Sequence, residues 1–473
     1  MTEILTPDLC VIGAGSGGLS VAAAAAAFGV EVVLIEKGKM GGDCLNYGCV
    51  PSKALLAAAK HADAFRRGAP FGIAAQRPQV DFAKVHAHVH RVIAAIAPND
   101  SVERFTGLGV RVISGAARFK DRRTVAVGEF EITARRFVLA TGSAPAVPPI
   151  PGLDRVQYFT NETIFDLAEC PRRLAVIGGG PIGVELAQAF RRLGADVIVI
   201  EAASPLAKDD PECAAVVLDA LAREGIEIRA HTKVLGAEAG SGIKLALEGP
   251  GGAETIEASH LLVATGRRAS VEGLDLQAAG IRHEARGITV GKGLKTTNRR
   301  VYAIGDAIGG LQFTHVSNYH AGLVIRNALF RLPVRARNDA MPWVTYTDPE
   351  LAQVGLTEAE AKNRRGAIRV LRWPYHENDR AQAEREIRGH IKVVTSRSGR
   401  VLGATIVGAQ AGELIAPWSL AVQEGLNVRA FAAAVLPYPT LGEIGKRAAT
   451  TFFALGAASP WVRRIIALLR QFG

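Results

Sequence analysis

Cysteine is scarce in this chain: Cys10, Cys44, Cys49, Cys170 and Cys213 are the five among 473 residues. A secreted scaffold held by disulfides would use more, in pairs. No Cys-x-x-Cys or Cys/His zinc spacing occurs. Aromatic residues make up only 6%, and no long basic run studded with aromatics of the nucleic-acid-binding kind occurs. The net charge of +11 comes from scattered arginines, so it reads as solvated surface and no nucleic-acid partner is expected. The apolar stretch from Ser20 to Val30 is dominated by alanine and meets Glu31. It is too short to span a bilayer. A strand is expected from Asp8, which leaves no room for a leader peptide, and a soluble, cytoplasmic protein is expected. What is abundant is Ala, Gly and other small apolar residues, 48% hydrophobic in all. That suits packed α/β layers in about three domains.

The strongest long-range pattern is a repeat. Leu9-Cys10-Val11-Ile12 runs into Gly13-Ala14-Gly15-Ser16-Gly17-Gly18, then an alanine helix, then Val32 to Ile35 and Glu36. Leu174-Ala175-Val176-Ile177 likewise runs into Gly178-Gly179-Gly180-Pro181-Ile182-Gly183, a helix, Val197 to Ile200, and Glu201. Each unit is strand, G-x-G-x-x-G, helix, strand and acid, with the acid a little over 20 residues after the first glycine. In that context the motif is a dinucleotide fingerprint. Gly13, Gly15 and Gly18, and Gly178, Gly180 and Gly183, would let the backbone approach a pyrophosphate at a helix N-terminus. Glu36 and Glu201 would hold ribose hydroxyls. Glu201 also repels a 2′-phosphate, which favours NADH over NADPH at the second unit. Two buried strands, Phe137-Val138-Leu139-Ala140-Thr141-Gly142 and Leu261-Leu262-Val263-Ala264-Thr265-Gly266, each close a unit. A third, Val301-Tyr302-Ala303-Ile304-Gly305-Asp306, places an acid at its carboxyl end, where ligands bind in open α/β sheets.

Cys44 and Cys49 sit in the run Gly41 to Lys53, shortly after the first glycine loop. On a regular helix their Cα atoms would lie roughly 8–9 Å apart. A disulfide wants about 4.4–6.8 Å. Closing this pair needs an irregular turn, which Gly48 can supply, and Pro51 suits the start of the following helix. A local dithiol beside a nucleotide site reads as a redox relay. Lys53, one turn beyond Cys49, would favour a thiolate.

At these residues the chain resembles the pyridine nucleotide-disulfide oxidoreductases of the glutathione reductase and dihydrolipoamide dehydrogenase type, from Asp8 to about Phe453. The resemblance implies FAD on the first unit and a nicotinamide cofactor on the second. It implies Cys49 as the flavin-side thiol, Cys44 as the interchange thiol, Lys53 near the flavin N5 and paired with Glu185, and Asp306 on the ribityl chain. It also implies a homodimer whose sites borrow residues from the partner subunit. The expected fold is α/β: two Rossmann-like dinucleotide-binding domains and a C-terminal α+β dimerisation domain. Residues 1–150 and 271–337 would bind FAD, 151–270 NAD(P), and 338–455 would dimerise, leaving a tail at 456–473.

One segment departs from the family. Disulfide-reducing members carry His-Pro-Thr and then a Glu. Here Tyr438-Pro439-Thr440 precedes Glu443. His titrates at about 6.5 and Tyr at about 10, so forming the Tyr anion at neutral pH costs about 4 kcal/mol. Tyr438 can donate a hydrogen bond but is a poor base. A Tyr at this position is similar to mercuric reductases, which reduce a thiol-bound metal ion. Those enzymes carry a C-terminal cysteine pair, and no cysteine follows Cys213 here, so efficient mercury detoxification is not expected. The acceptor is read as a metal ion or other small electrophile. Dihydrolipoamide dehydrogenase or another disulfide reductase is the alternative. His315, His320 and His376 are read as structural. His86 and His90 share a helix face but lack a carboxylate partner, so no metal site is expected. In the tail, Arg463, Arg464 and Arg470 interleave with Trp461, Ile465, Ile466, Leu468, Leu469 and Phe472. Packing at a dimer surface is the preferred reading. A membrane-peripheral flavoprotein that docks on anionic lipid through this tail is the alternative from a different class.

Overall fold

The computed structural model describes residues 2–454 and 459–472. The expected boundary between residues 455 and 456 lies outside the described residues. Two compact units emerge: Met1–Ala202 with Glu227–Arg337, and Ala203–Ile226 with Asn338–Gly473.

The first unit is built on two parallel sheets. One has the strand order Val301–Ala303, Arg136–Leu139, Leu9–Ile12, Val32–Glu36, Val110–Ser114. Its central strands are buried on both faces, as parallel sheets require. Alternate residues divide between two cores. Cys10, Ile12, Val33, Ile35, Phe137 and Leu139 face one side; Leu9, Val11, Val32, Leu34 and Val138 face the other. On that second side Leu19, Val21, Ala22 and Ala25 of helix Ser16–Ala27 share one core with the sheet and with helix Thr314–Ala328. Small side chains let both helices lie close to the strands. Leu34 is fully buried, so truncating it to Ala would cost about 2–5 kcal/mol.

The second sheet repeats the plan, in the order Glu227–Arg229, Asp196–Ile200, Arg173–Ile177, His260–Val263. In both sheets the glycine loop leaves the strand at which the order reverses direction. That is the switch point where α/β sheets bind ligands. The loops match in detail. Gly13 and Gly178 have φ of +104° and +112°. A Cβ on Gly18 would collide with the Gly13 carbonyl, and one on Gly183 with the Gly178 carbonyl. The first glycine makes the turn and the third lets the helix return against it.

The second unit holds a five-stranded antiparallel sheet: Trp343–Thr345, Glu350–Gly355, Val401–Gly408, His390–Ser396, Ile368–Pro374. Its core includes Trp418 stacked on Phe431 at 3.8 Å between ring centres. Helix Pro211–Arg223 packs on strand Val401–Gly408 of this unit. Beside it the ammonium of Lys392, almost fully buried, lies 2.8 Å from Asp210, 3.0 Å from Glu212 and 2.9 Å from Glu358. Burial disfavours that charge, but hydrogen bonds to the three carboxylates outweigh it and hold Lys392 protonated. No helix among the described residues is long and apolar enough to cross a membrane.

Candidate redox site

The cysteine loop follows the first glycine loop directly. Gly41 and Gly42 both have positive φ, +83° and +57°, and open a short helix, Gly42–Asn46. Asn46 pins it by donating to the Met40 and Gly42 carbonyls at 3.0 and 2.8 Å. Gly48 then caps the long helix Cys49–Ala64. A Cβ there would press against the Asp43 carboxylate at 2.8 Å. Gly48 thus permits the irregular turn by tolerating close approach, with φ at −123° rather than in the left-handed region.

Cys44 and Cys49 are free thiols and face each other, Cys44 half-buried and Cys49 exposed. The Cys49 thiol is held down at about 6, first by a hydrogen bond from Cys44, then by the Thr314 hydroxyl at 3.5 Å and the positive charge of Lys53. Burial opposes the shift. Cys44 moves up, because it donates to Cys49 and is partly buried. The pair is therefore asymmetric, one sulfur anionic and the other its proton donor. Lys53 Nζ lies 2.8 Å from Glu185 Oε2, with the lysine side chain 37% exposed and the glutamate 6%. This pair joins the cysteine helix to the first turns of helix Pro181–Leu193.

A chain of polar contacts fixes the loop from the other side. Arg267 Nη2 is 3.0 Å from Asp43 Oδ1, and its Nε donates to Ser143 Oγ at 2.7 Å. Ser143 donates in turn to Asp306 Oδ2 at 2.6 Å. Asn161 donates to Asp43 Oδ1 at 3.0 Å and to the Tyr47 carbonyl at 3.2 Å. Burial pushes the Asp306 carboxyl up. Thr141 closes its turn by donating to the Ser270 carbonyl at 2.7 Å; Gly142 and Gly266 turn the chain with φ of +69° and +126°. The Gly305 N–H donates to the buried His320 Nδ1 at 3.2 Å.

Both glycine loops suit a dinucleotide. Helices Ser16–Ala27 and Pro181–Leu193 start at Gly15 and Gly180 with no side-chain cap and no acid in the first turn. A Cβ on either glycine would meet nothing within 4 Å. Uncapped N–H groups facing open space, at the positive end of a helix, fit a pyrophosphate. Each strand-end acid folds back on its loop: Glu36 accepts from the Ala14 N–H at 2.6 Å and Glu201 from the Gly179 N–H at 2.7 Å. A carboxylate held this way keeps lone pairs for ribose hydroxyls.

Residues 7–321 match the pyridine nucleotide-disulphide oxidoreductase family, and residues 341–449 match its dimerisation domain. The chain belongs to the pyridine nucleotide-disulphide oxidoreductases. A mercuric reductase of Bacillus cereus is 37% identical over 449 residues, covering 94% of this chain and 71% of that one. A dihydrolipoyl dehydrogenase of Geobacillus stearothermophilus is 34% identical over 452 residues, covering 93% and 95%. Among solved structures, LpdA from Mycobacterium tuberculosis aligns with a TM-score of 0.86 at 25% identity, covering 94% of this chain and 99% of that one. The Cu(II) complex of the HOCl-induced flavoprotein disulfide reductase RclA from Escherichia coli aligns with 0.83 at 27%, covering 93% and 98%. This oxidoreductase is an enzyme of a family that uses FAD and NAD(P)H.

In the second unit of the oxidoreductase, Tyr438 is 68% exposed and donates to Asp379 Oδ2 at 2.6 Å. That hydrogen bond, and the Asp379 charge behind it, raise the phenol further. Glu443 begins helix Glu443–Thr451 and adds negative charge nearby. Thr314, Asp43, Arg267, Ser143, Asn161 and Asp379 were not singled out from sequence. Arg267 had one signal, its place directly after the Ala-Thr-Gly turn. Cys10 and Cys213 are buried and burial raises both thiols, as it raises Cys170 to about 11.

Proposed function

We propose that the chain is an NADH-dependent flavoprotein oxidoreductase that passes electron pairs through the Cys44–Cys49 couple to a small electrophile, such as a metal ion. Residues 1–150 and 271–337 would hold FAD and 151–270 the nicotinamide nucleotide, with 338–455 pairing two copies into a homodimer. Gly13, Gly15, Gly18 and Glu36 would take the FAD pyrophosphate and ribose, with Gly142, Gly305 and Asp306 at its ribityl side and Thr141 bracing the turn. Gly178, Gly180, Gly183, Gly266 and Glu201 would take the nicotinamide nucleotide. NADH is preferred because Glu201 accepts hydrogen bonds from ribose hydroxyls but repels a 2′-phosphate. Bound FAD supplies a carrier that accepts two electrons at once from reduced nicotinamide and yields them to sulfur.

The chain's own residues manage charge and protons. A disulfide between Cys44 and Cys49 takes up two electrons and one proton to give the Cys44 thiol and the Cys49 thiolate. Lys53, neutralised in turn by Glu185, favours that anion, and the Thr314 hydroxyl hydrogen-bonds it. Cys44, the protonated thiol and by the family resemblance the interchange sulfur, would be the one to meet an acceptor.

The choice of acceptor rests on Tyr438. Expelling a thiolate from a substrate disulfide calls for an acid–base group that titrates near neutrality. A phenol tied to Asp379 and raised above its ordinary value does not. Reducing a bound metal ion or electrophile needs no such proton. NADH oxidation measured against Hg(II), Cu(II), quinones, lipoamide and glutathione disulfide tests this. Rates highest with a metal ion or quinone support the reading. Lipoamide turnover at ordinary rates would transfer the enzyme to the dihydrolipoamide dehydrogenase alternative.

A further inference from the structure

Helix Pro460–Leu469 has no buried residue. Trp461, Ile465, Leu468 and Phe472 recur at i, i+4, i+7 and i+11, and Val462, Ile466 and Leu469 widen the same face. Arg464 and Arg470 flank that face, one at either edge, and Arg463 lies further round. Much of the apolar side is uncovered in the protomer: Trp461 is 70% exposed, Ile466 52%, Leu468 56%, Leu469 60% and Phe472 80%, while Val462 and Ile465 are half-buried. The match to the dimerisation domain ends at residue 449, ahead of this helix. No acidic residue follows Glu443.

We propose that this helix docks the enzyme on the surface of an anionic lipid bilayer. Lying in the membrane plane, Leu468, Leu469, Ile466 and Phe472 would enter the acyl boundary, and Trp461 would sit at headgroup depth. Arg463, Arg464 and Arg470 would meet lipid phosphates, for which a guanidinium fork is well matched. Ten residues give a helix about 15 Å long, enough to lie on a bilayer and too short to cross it. The charge decides between bilayer and second copy. Two such helices packed face to face would line the seam with the flanking Arg464 and Arg470 of both copies, with no acid on either helix to answer them. An anionic headgroup layer answers all three arginines of one helix. The inference does not depend on which acceptor the enzyme reduces.

The test is flotation of the full-length FAD-loaded protein with phosphatidylcholine vesicles and with vesicles containing phosphatidylglycerol. The protein is expected to float with the anionic vesicles and to remain below with the neutral ones, and added salt should weaken the association. Leu468→Asp should cut the floated fraction at least about tenfold. The double change Arg463→Ala with Arg464→Ala should weaken flotation while leaving NADH oxidation in solution unchanged. Failure of the wild type to float overturns the proposal, as does Leu468→Asp floating like the wild type. Equal flotation on neutral vesicles overturns the anionic assignment. If Leu468→Asp halves the particle mass in solution, the helix is a contact between copies and the bilayer reading fails.

Discussion

Replacing Lys53 with Met should make Cys49 a weaker acid and take from Glu185 the ammonium that faces it at 2.8 Å. On one helix, side chains four apart lie about 6 Å from each other. At an effective dielectric of about 40–80, unit charges at that distance interact by about 0.7–1.4 kcal/mol. The Cys49 thiol should therefore climb from about 6 by about half to one pK unit. The reading is the pH dependence of iodoacetamide alkylation of Cys49 in the reduced protein, followed by peptide mass spectrometry. The midpoint should move upward and Cys44 should stay unreactive in the same window. Removing one partner of a fully buried ion pair costs about 3–5 kcal/mol. Lys53 is 37% exposed, so about 2 kcal/mol is the working figure here. Most of that should return in the double variant Lys53→Met with Glu185→Gln, which removes both charges. An unchanged midpoint in Lys53→Met, or a double variant no more stable than the single, refutes the assignment of this pair.

Three further outcomes follow from the same geometry. Tyr438→His should raise turnover with lipoamide or glutathione disulfide by at least about tenfold; a wild type already fast with either, and no slower than the variant, contradicts the role given to Tyr438. Glu201→Gln should narrow the preference for NADH over NADPH by about tenfold in kcat/KM, or about 1.4 kcal/mol, and an unchanged ratio shows that Glu201 does not read the ribose. Glu212 is held down at about 2, first by Arg372, and Glu358 at about 2, first by Lys362, with Lys392 acting on both. These are depressed carboxylates, so their stabilisation is complete above the ordinary carboxylate value of 4.5 and is lost as pH falls towards 2. Acid unfolding followed by intrinsic fluorescence should show that loss in the wild type. Lys392→Met, which leaves three carboxylates facing one another, should unfold at higher pH.

Much of the cofactor architecture is local in sequence, and that is why it can be read there. A glycine loop between a buried strand and a helix declares itself within about thirty residues, and so does the spacing of Cys44 and Cys49. The rest depends on side chains brought together over long separations. Thr314 reaches Cys49 across 265 residues, and Lys53 meets Glu185 across 132. Periodicity shows which face of a helix is apolar but not which polar group it will meet. Glu185 was therefore read through the resemblance, and Thr314 was not read at all. The same holds for Asp379, which sits beside Tyr438 from 59 residues away. The Lys392 cluster joins helix Pro211–Arg223 to a sheet formed more than a hundred residues later. A lysine alternating with apolar residues in a strand ordinarily faces water, and only the fold reveals three carboxylates waiting for it.

The central claim is that a sulfur pair beside a bound flavin relays electrons from reduced nicotinamide. Anaerobic addition of NADH to the purified protein tests it directly, with absorbance recorded beyond the flavin bands. The expected result is a yellow protein that develops a broad long-wavelength thiolate-to-flavin band after one equivalent of NADH, and no such band in Cys49→Ser. A colourless protein able to bind no FAD, or a yellow one that bleaches without that band, contradicts it.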